Sequence, residues 1–547
     1  MCPKQKDSSS PLILVLICRT TAIKLSSYKD YKTTFNDSQS LNNGITGKLV
    51  LTVIITCIGS SFLIGYNIET YFNETVVPNT PELDSNFFYT HVSTIFVVAA
   101  AIGAFSCGWV ADGIGRRNGL LLNNVIGIIG GVIVGPCVLV QQPVLLYVGR
   151  FVIGINSGIT IGIASLYLTE VAPRDLRGGI GACHQLAVTI GIAFSYFITF
   201  SFLLNTKNLW PLAVALGAVP AAMSLVILPF CPESPRFLYM KKNKEAEARK
   251  AFLQLNVKEN VDTFIGELRG EIEVAKNQPV FKFTQLFTQK DLRMPVLIAC
   301  LIQVLQQLSG INAVITYSSL MLELAGIPDM YLQYCVFAIG VLNVIVTVVS
   351  VPLIERAGRR TLLLWPTVSL ALSFLLLTIF VNLAYSGPVG ARSAMGIISI
   401  ILILVYICSF ALGLGPVPAL IVSEIFRQSP RAAAYSLSQS IQWLSNLIVL
   451  CSYPVIQKNI GGYSFLPFLV VVVICWIFFF LFMPETKNRT FDDVACDLAF
   501  GGIVVGKRTT ALEDRNLTVF TKQGNNDGPA SESLLYPRSD NDKGMYA

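Results

Sequence analysis

Inside otherwise apolar stretches of the chain stand Gln185, Gln306, Gln307, Asn312, Asn343, Gln442, Trp443 and Asn446. An amide offers both donors and acceptors without formal charge, and an indole adds a flat apolar face with one N–H donor. That inventory suits a neutral, hydroxyl-rich solute that must shed its water, because fixed charges would hold water in place. Gln442 and Asn446 lie four apart and share a helix face. Taken singly, such amides serve equally well as hydrogen bonds between helices, worth under about 1 kcal/mol each. As a set they favour a binding site. His184 adjoins Gln185 but faces another side of the helix, which favours a structural role. Arg150 also lies within an apolar stretch, where an ionisable group needs a partner that the sequence does not name. No HExxH, GxSxG or metal-ligand cluster occurs in these stretches, so no enzyme, cofactor or metal site is expected.

A second set of residues recurs. Asp112-Gly-Ile-Gly115-Arg116-Arg117 returns as Glu355-Arg-Ala-Gly358-Arg359-Arg360. Glu170 and Arg177 return at the same spacing as Glu424 and Arg431, and Pro232-Glu233-Ser-Pro-Arg236 is echoed by Pro484-Glu485-Thr-Lys487. Self-similarity at a fixed offset marks two copies of one structural unit. Arg pairs alone would read as topology anchors. Carboxylates that recur with them point to ion pairs that hold a gate shut and break when it opens.

The elements that must carry both sets are membrane helices. Of the 547 residues, 53% are hydrophobic and 13% charged, against roughly 25% charged in soluble domains. Apolar runs near 49–68, 90–111, 119–139, 145–169, 178–202, 209–229, 294–318, 333–354, 361–384, 394–418, 432–456 and 463–483 are each about the length a bilayer-crossing helix needs. Strand-like alternation is absent, so helices rather than a barrel must satisfy the backbone in lipid. The expected fold class is an all-α polytopic membrane protein with twelve transmembrane helices in two six-helix halves. Its expected parts are a disordered tail (1–45), a first half (46–230), a helical linker (231–293), a second half (294–500) and a disordered tail (501–547). Within the linker, 242–252 reads as a surface helix.

Segment 69–89 holds Glu69, Glu74, Glu82 and Asp84 but no Lys or Arg, whereas Arg116/Arg117, Arg174/Arg177, Arg356/Arg359/Arg360 and Arg427/Arg431 crowd the opposite connections. Basic loops stay in the cytosol, so both termini are expected there, in a plasma-membrane protein. The net charge of +7 then reflects topology, and no basic patch for nucleic acid is present. The 13 cysteines show no CxxC or metal spacing and imply no disulfide framework. Expected partners are the lipid bilayer and a small polar solute. Asn73-Glu74-Thr75 is a glycosylation sequon on the outer side.

Across about 47–500 the ordered motifs Gly149-Arg150-Phe151, the two Arg-Arg turns, PESPR (232–236), QQLSGIN (306–312), GPVP (415–418) and PETKNRT (484–490) resemble the facilitative glucose transporters, sugar porters of the major facilitator superfamily. The resemblance implies that superfamily's fold, alternating access, a hexose-sized solute and sugar contacts at the amide and indole positions above. It also implies an outer gate at Tyr317 and a seventh helix loosened at Ser309-Gly310. Departures matter. The glucose-selective members carry Trp where Ala419 stands, an acidic residue at Ala411, Gln-Leu-Ser at Gln303-Val304-Leu305 and Asn at Gln442. Ala419 resembles the fructose-carrying branch. Proton-coupled relatives carry Asp at Asn67, leaving Glu69 as the nearest carboxylate here. The family also continues its first span for further turns beyond Gly-Tyr-Asn, so the outer end of that helix is expected to be missing and the protein to be a weakened transporter. The functional expectation is a passive uniporter of glucose and fructose, with a proton-coupled symporter or a non-transporting sugar sensor as alternatives.

Overall fold

The computed structural model describes residues 46–68, 85–137, 140, 142–173, 176–200, 202–204, 206, 209–256, 260–276, 283–316, 322, 327–386, 389–426, 428–487, 494 and 498. Both expected tails, Glu69, Asn73, Arg174, Tyr317 and Arg427 lie outside these residues, as does the side chain of Glu355.

The first span is built from Gly47–Thr56, a π turn at Cys57–Ser61, and Phe62–Ile68. Thr46 caps it by accepting a hydrogen bond from Leu49 N at 3.0 Å, while its own hydroxyl donates to Leu255 O at 3.2 Å. The second to fifth spans are Ser85–Ile114, Arg116–Val134, Pro143–Val171 and Arg177–Ile198. The sixth is split into Trp210–Ala215 and Ala218–Ile227. In the second half the seventh span is Lys290–Leu308 and Ile311–Thr316, the eighth Asp329–Ala357 and the ninth Arg359–Ser386. The tenth is Val389–Leu412 and Val417–Glu424, the eleventh Gln428–Ile460 and the twelfth Leu466–Phe482. Among the described residues, eleven apolar helical stretches are long enough to cross a membrane, and the last of them, Ala433–Phe482, turns back through Gly461–Phe465, giving twelve crossings.

Two differences from the sequence-based spans have clear causes. The eleventh helix runs 33 residues, about 50 Å at 1.5 Å per residue. Its first turns carry Gln428, Ser429 and Arg431, whose polar types lower the local hydropathy, so hydropathy alone trims them. The tenth span breaks at 413–416, where Pro416 lacks an N–H and Gly415 N turns back to Phe410 O at 2.9 Å. The expected loosening of the seventh helix is present: it stops at Leu308, and Gly310 takes φ +82° before Ile311 restarts it.

Four linker helices, Pro235–Met240, Glu245–Leu255, Val261–Lys276 and Gln285–Thr288, lie on one face of the bundle. The anticipated surface helix is the second of these. Ala248, Ala251, Phe252 and Leu255 form its buried stripe, and Phe252 stacks on Phe264 at 4.3 Å. Arg249 bonds Asp262 at 2.6 Å and Glu245 at 2.9 Å, and those bonds raise its guanidinium above the ordinary range. The halves meet along the second and eleventh spans and along the fifth and eighth.

Candidate functional site

The freed backbone of the tenth-span break sets the site. Gln306 donates its amide to Leu414 O at 2.8 Å and Gly415 O at 3.2 Å, satisfying carbonyls that the interrupted helix leaves open. Its carbonyl oxygen accepts from Gln442 Nε2 at 3.2 Å, which ties the seventh, tenth and eleventh spans together. Gln306 is therefore a brace whose donors are spent. Two neighbours on the eleventh span keep polar atoms unmatched among the described residues: Gln442 Oε1 and Trp443 Nε1 are buried without a hydrogen-bond partner. Native proteins seldom leave such groups unpaired.

Just beyond the seventh-span break, Asn312 Nδ2 donates to Gln307 Oε1. Asn312 and Asn446 line a narrow cavity with Ser93, Phe96, Val97, Arg150 and Leu450. Phe96 meets the Trp443 ring edge-on at 6.0 Å. Gln185 reaches the same region from the first half, its Nε2 lying 3.7 Å from where a Gly415 β-carbon would stand. Asn343 is buried on the eighth span, one turn beyond Gly340, which packs on Tyr196 of the fifth; it does not line this cavity. The halves touch on both sides of the cluster. Toward the linker face, Tyr435 donates to Ser165 at 3.0 Å and Ser436 to Phe105 O at 3.0 Å. Toward the other face, Thr94 meets Cys451 at 3.5 Å and Phe200 packs on Tyr334 and Phe337.

Arg150 is 1% exposed. Its guanidinium donates to the Asn67 carbonyl at 2.7 Å and lies 4.8 Å from the centre of the Phe96 ring. His184 accepts from or donates to Ser61 at 2.7 Å across the first and fifth spans, in keeping with a structural role. Two buried glutamines on the same helices were not among the expected contacts. Neither side-chain atom of Gln303, nor Oε1 of Gln439, has a described partner. The 303/306/307 and 439/442/443/446 spacings put each set on one helix stripe, a periodicity that could have flagged both.

On the linker face the recurrent charged residues form the same clasp twice. Arg116 holds Glu170 bidentately, with both contacts at 2.9 Å, and Ser234 donates to the same carboxylate. Arg359 holds Glu424 at 2.9 Å, and Thr486 donates to it. Glu233 accepts from the backbone N–H groups of Arg116 and Arg117, each at 3.0 Å; Glu485 accepts from those of Arg359 at 2.9 Å and Arg360 at 3.1 Å. A carboxylate at a helix N-terminus meets both the open N–H groups and the positive end of the dipole. Gly115 (φ +103°) and Gly358 (φ +85°) make each turn possible, since a β-carbon would stand 2.6 Å from the Glu233 or Glu485 oxygen. Arg117 and Arg360 donate instead to the carbonyls of Cys231 at 3.0 Å and Phe480 at 2.8 Å. The ion pairs Arg116–Asp112, Arg116–Glu170, Lys241–Asp112, Arg249–Asp262 and Arg359–Glu424 each stay within one half or within the linker and the half it joins.

The family described as "Sugar (and other) transporter" matches residues 38–498. The chain belongs to the sugar transporter family. Facilitated glucose transporter member 4 of Homo sapiens is 37% identical over 477 residues, covering 84% of this transporter and 92% of the relative. Member 5 of Homo sapiens is 35% identical over 471 residues, covering 83% and 93%, and member 1 of Gallus gallus is 35% identical over 480 residues, covering 85% and 96%. The transporter also has the fold of the major facilitator superfamily proton:xylose symporter solved with 6-bromo-6-deoxy-D-glucose, at TM-score 0.69 and 22% identity, covering 82% of this chain and 98% of that one. It is a sugar transporter, not an enzyme, and a multi-pass membrane protein.

Proposed function

We propose that this transporter carries hexoses passively, glucose and fructose among them, by alternating exposure of the amide cluster to the two sides of the membrane. The observation that carries the reading is that Gln442 Oε1 and Trp443 Nε1 are buried and unmatched among the described residues, on the same helix that brings Asn446 to a cavity shared with Asn312. These neutral groups offer a hydroxylated ring donors, acceptors and an apolar face without binding ions. Gln185, Gln306, Gln307 and, from outside the narrow cavity, Asn343 complete the proposed set, Gln306 chiefly as a brace. Uniport is favoured because Asn67, whose carbonyl accepts from Arg150 at 2.7 Å, carries an amide rather than a titratable carboxyl. Ala419 and Ala411 leave the tenth span without bulk or charge at positions beside the break, which favours fructose as well as glucose.

In this reading the linker face is cytosolic, as its Arg and Lys content favours, and the protein resides in the plasma membrane. The parts are a tail (1–45), halves at 46–230 and 294–500, a linker at 231–293 and a tail (501–547). The clasps built from Arg116, Arg117, Glu170, Glu233, Arg359, Arg360, Glu424 and Glu485 keep each half rigid as it rocks. Arg177, Arg236, Glu355 and Arg431 join the inner gate, Tyr317 the outer one, and Asn73 carries glycan. Tracer counterflow in vesicles containing only this protein tests the proposal. Preloaded unlabelled glucose and fructose should each drive transient accumulation of labelled glucose; no counterflow with either sugar would refute it.

A further inference from the structure

A groove of about 530 Å3 opens on the linker face, between the linker helix Glu245–Leu255, the start of the first span and the turn joining the second and third. Ligand sites commonly fall at roughly 300–1,000 Å3. Among the described residues, Lys48, Arg117, Lys242, Lys244 and Lys250 line it, with Glu233 and Glu247 as its only carboxylates. Neither carboxylate balances the whole set. Glu233 is occupied by the backbone N–H groups of Arg116, Arg117 and Ser234, and Glu247 is bound by Lys244 at 2.8 Å. Arg117 donates to the Cys231 carbonyl and Lys242 to the Gly113 carbonyl, acceptors that carry no net charge. Lys48 and Lys250 are exposed and form no ion pair among the described residues. Among the described residues the groove thus sets five basic side chains against two carboxylates, a surplus of positive charge.

Its outer wall has a different character. Phe230, 74% exposed, and exposed Pro229 close the sixth span there, and Ile114 closes the second. Exposed apolar residues at the ends of two membrane helices place that wall at the bilayer boundary. A basic pocket between helix ends at that depth suits the headgroup of an anionic lipid, which nearby Lys and Arg side chains attract.

We infer that this groove binds a phosphate-bearing anion, with the headgroup of an anionic phospholipid as the occupant and its acyl chains lying against Phe230. Bound there, the phosphate bridges Lys48 of the first span and Lys250 of the linker, fastening the linker helix to the first half. The inference concerns binding alone and stands apart from which sugar is carried.

The test uses the full-length protein in nanodiscs of phosphatidylcholine, titrated with phosphatidylserine, with thermal unfolding as the readout. A second arm titrates inorganic phosphate without anionic lipid. Wild type should be stabilised by phosphatidylserine, and the double variant Lys48→Gln/Lys250→Gln should require roughly thirtyfold more of it, about 2 kcal/mol at 1.4 kcal/mol per tenfold. Glucose counterflow in pure phosphatidylcholine should be the same for both. Stabilisation by inorganic phosphate at matched concentration, lost in the same double variant, would support the phosphate site but assign it to a soluble ligand. No stabilisation by either, or an undiminished response in the double variant, would overturn the inference.

Discussion

Reversing the charge of Glu424 should break the second-half clasp, and the size of the loss follows from its geometry. Arg359 and Glu424 meet at 2.9 Å with side chains only 11% and 23% exposed, so water screens the pair poorly. Removing one member of such a pair typically costs about 3–5 kcal/mol, because the other charge is left stranded. Glu424→Arg goes further by setting two guanidinium groups together and turning the Thr486 hydroxyl toward a cation. At about 2–4 °C per kcal/mol for a unit of this size, the unfolding midpoint of the purified protein should fall by roughly 6–20 °C. Arg359→Glu/Glu424→Arg restores the attraction but leaves the Ile354 carbonyl, which takes Arg359 Nη1 at 3.5 Å, facing a carboxylate. About half the loss should therefore return. Pairing Glu424→Arg with Arg431→Glu should recover nothing, since Arg431 donates to the Phe426 carbonyl at 3.1 and 3.3 Å. A double-mutant cycle on thermal unfolding measures both couplings. Losses that simply add in the Arg359/Glu424 cycle, or rescue through Arg431 instead, would refute the intra-half clasp.

Three further outcomes are expected. Asn312→Ala removes a cavity-lining amide and should raise the half-saturation concentration for glucose roughly threefold to tenfold, the worth of a hydrogen bond of about 0.5–1.5 kcal/mol; unchanged half-saturation at normal surface expression would assign Asn312 to bracing Gln307. Gly358→Ala forces a β-carbon into a left-handed turn beside Glu485 and should destabilise by at least about 1–2 kcal/mol, whereas Gly113→Ala, whose β-carbon meets nothing within 4 Å, should not; equal unfolding midpoints would contradict the strained turn. Ala419→Trp should cut fructose uptake more than glucose uptake, and an equal loss of both would remove Ala419 from the selectivity argument.

The membrane spans and the duplication were legible in the sequence because both are one-dimensional signals, apolar length and recurring order. So was the seventh-span break, carried by Ser309-Gly310. The sequence also brought together the right clasp residues but not their bonds. Glu233 and Glu485 act on backbone N–H groups, which residue types do not reveal, and the same is true of Arg150, whose described hydrogen-bond acceptor is the Asn67 main-chain carbonyl. The tenth-span break was hidden for a related reason. GPVP drew attention as a motif, yet the carbonyls it frees, and the Gln306 amide they consume, are visible only once the seventh and tenth spans are packed together. That packing separates Gln306, the brace, from Gln442, the unmatched acceptor, although both are glutamines in apolar helices.

The most direct test of the account is net uptake of labelled glucose and fructose into vesicles carrying only this protein, with and without an imposed proton gradient. The account predicts saturable entry of both sugars that stops at equal inside and outside concentrations and is indifferent to the gradient or to an uncoupler. Accumulation above the outside concentration that collapses with the uncoupler, or the absence of any saturable hexose entry, would contradict it.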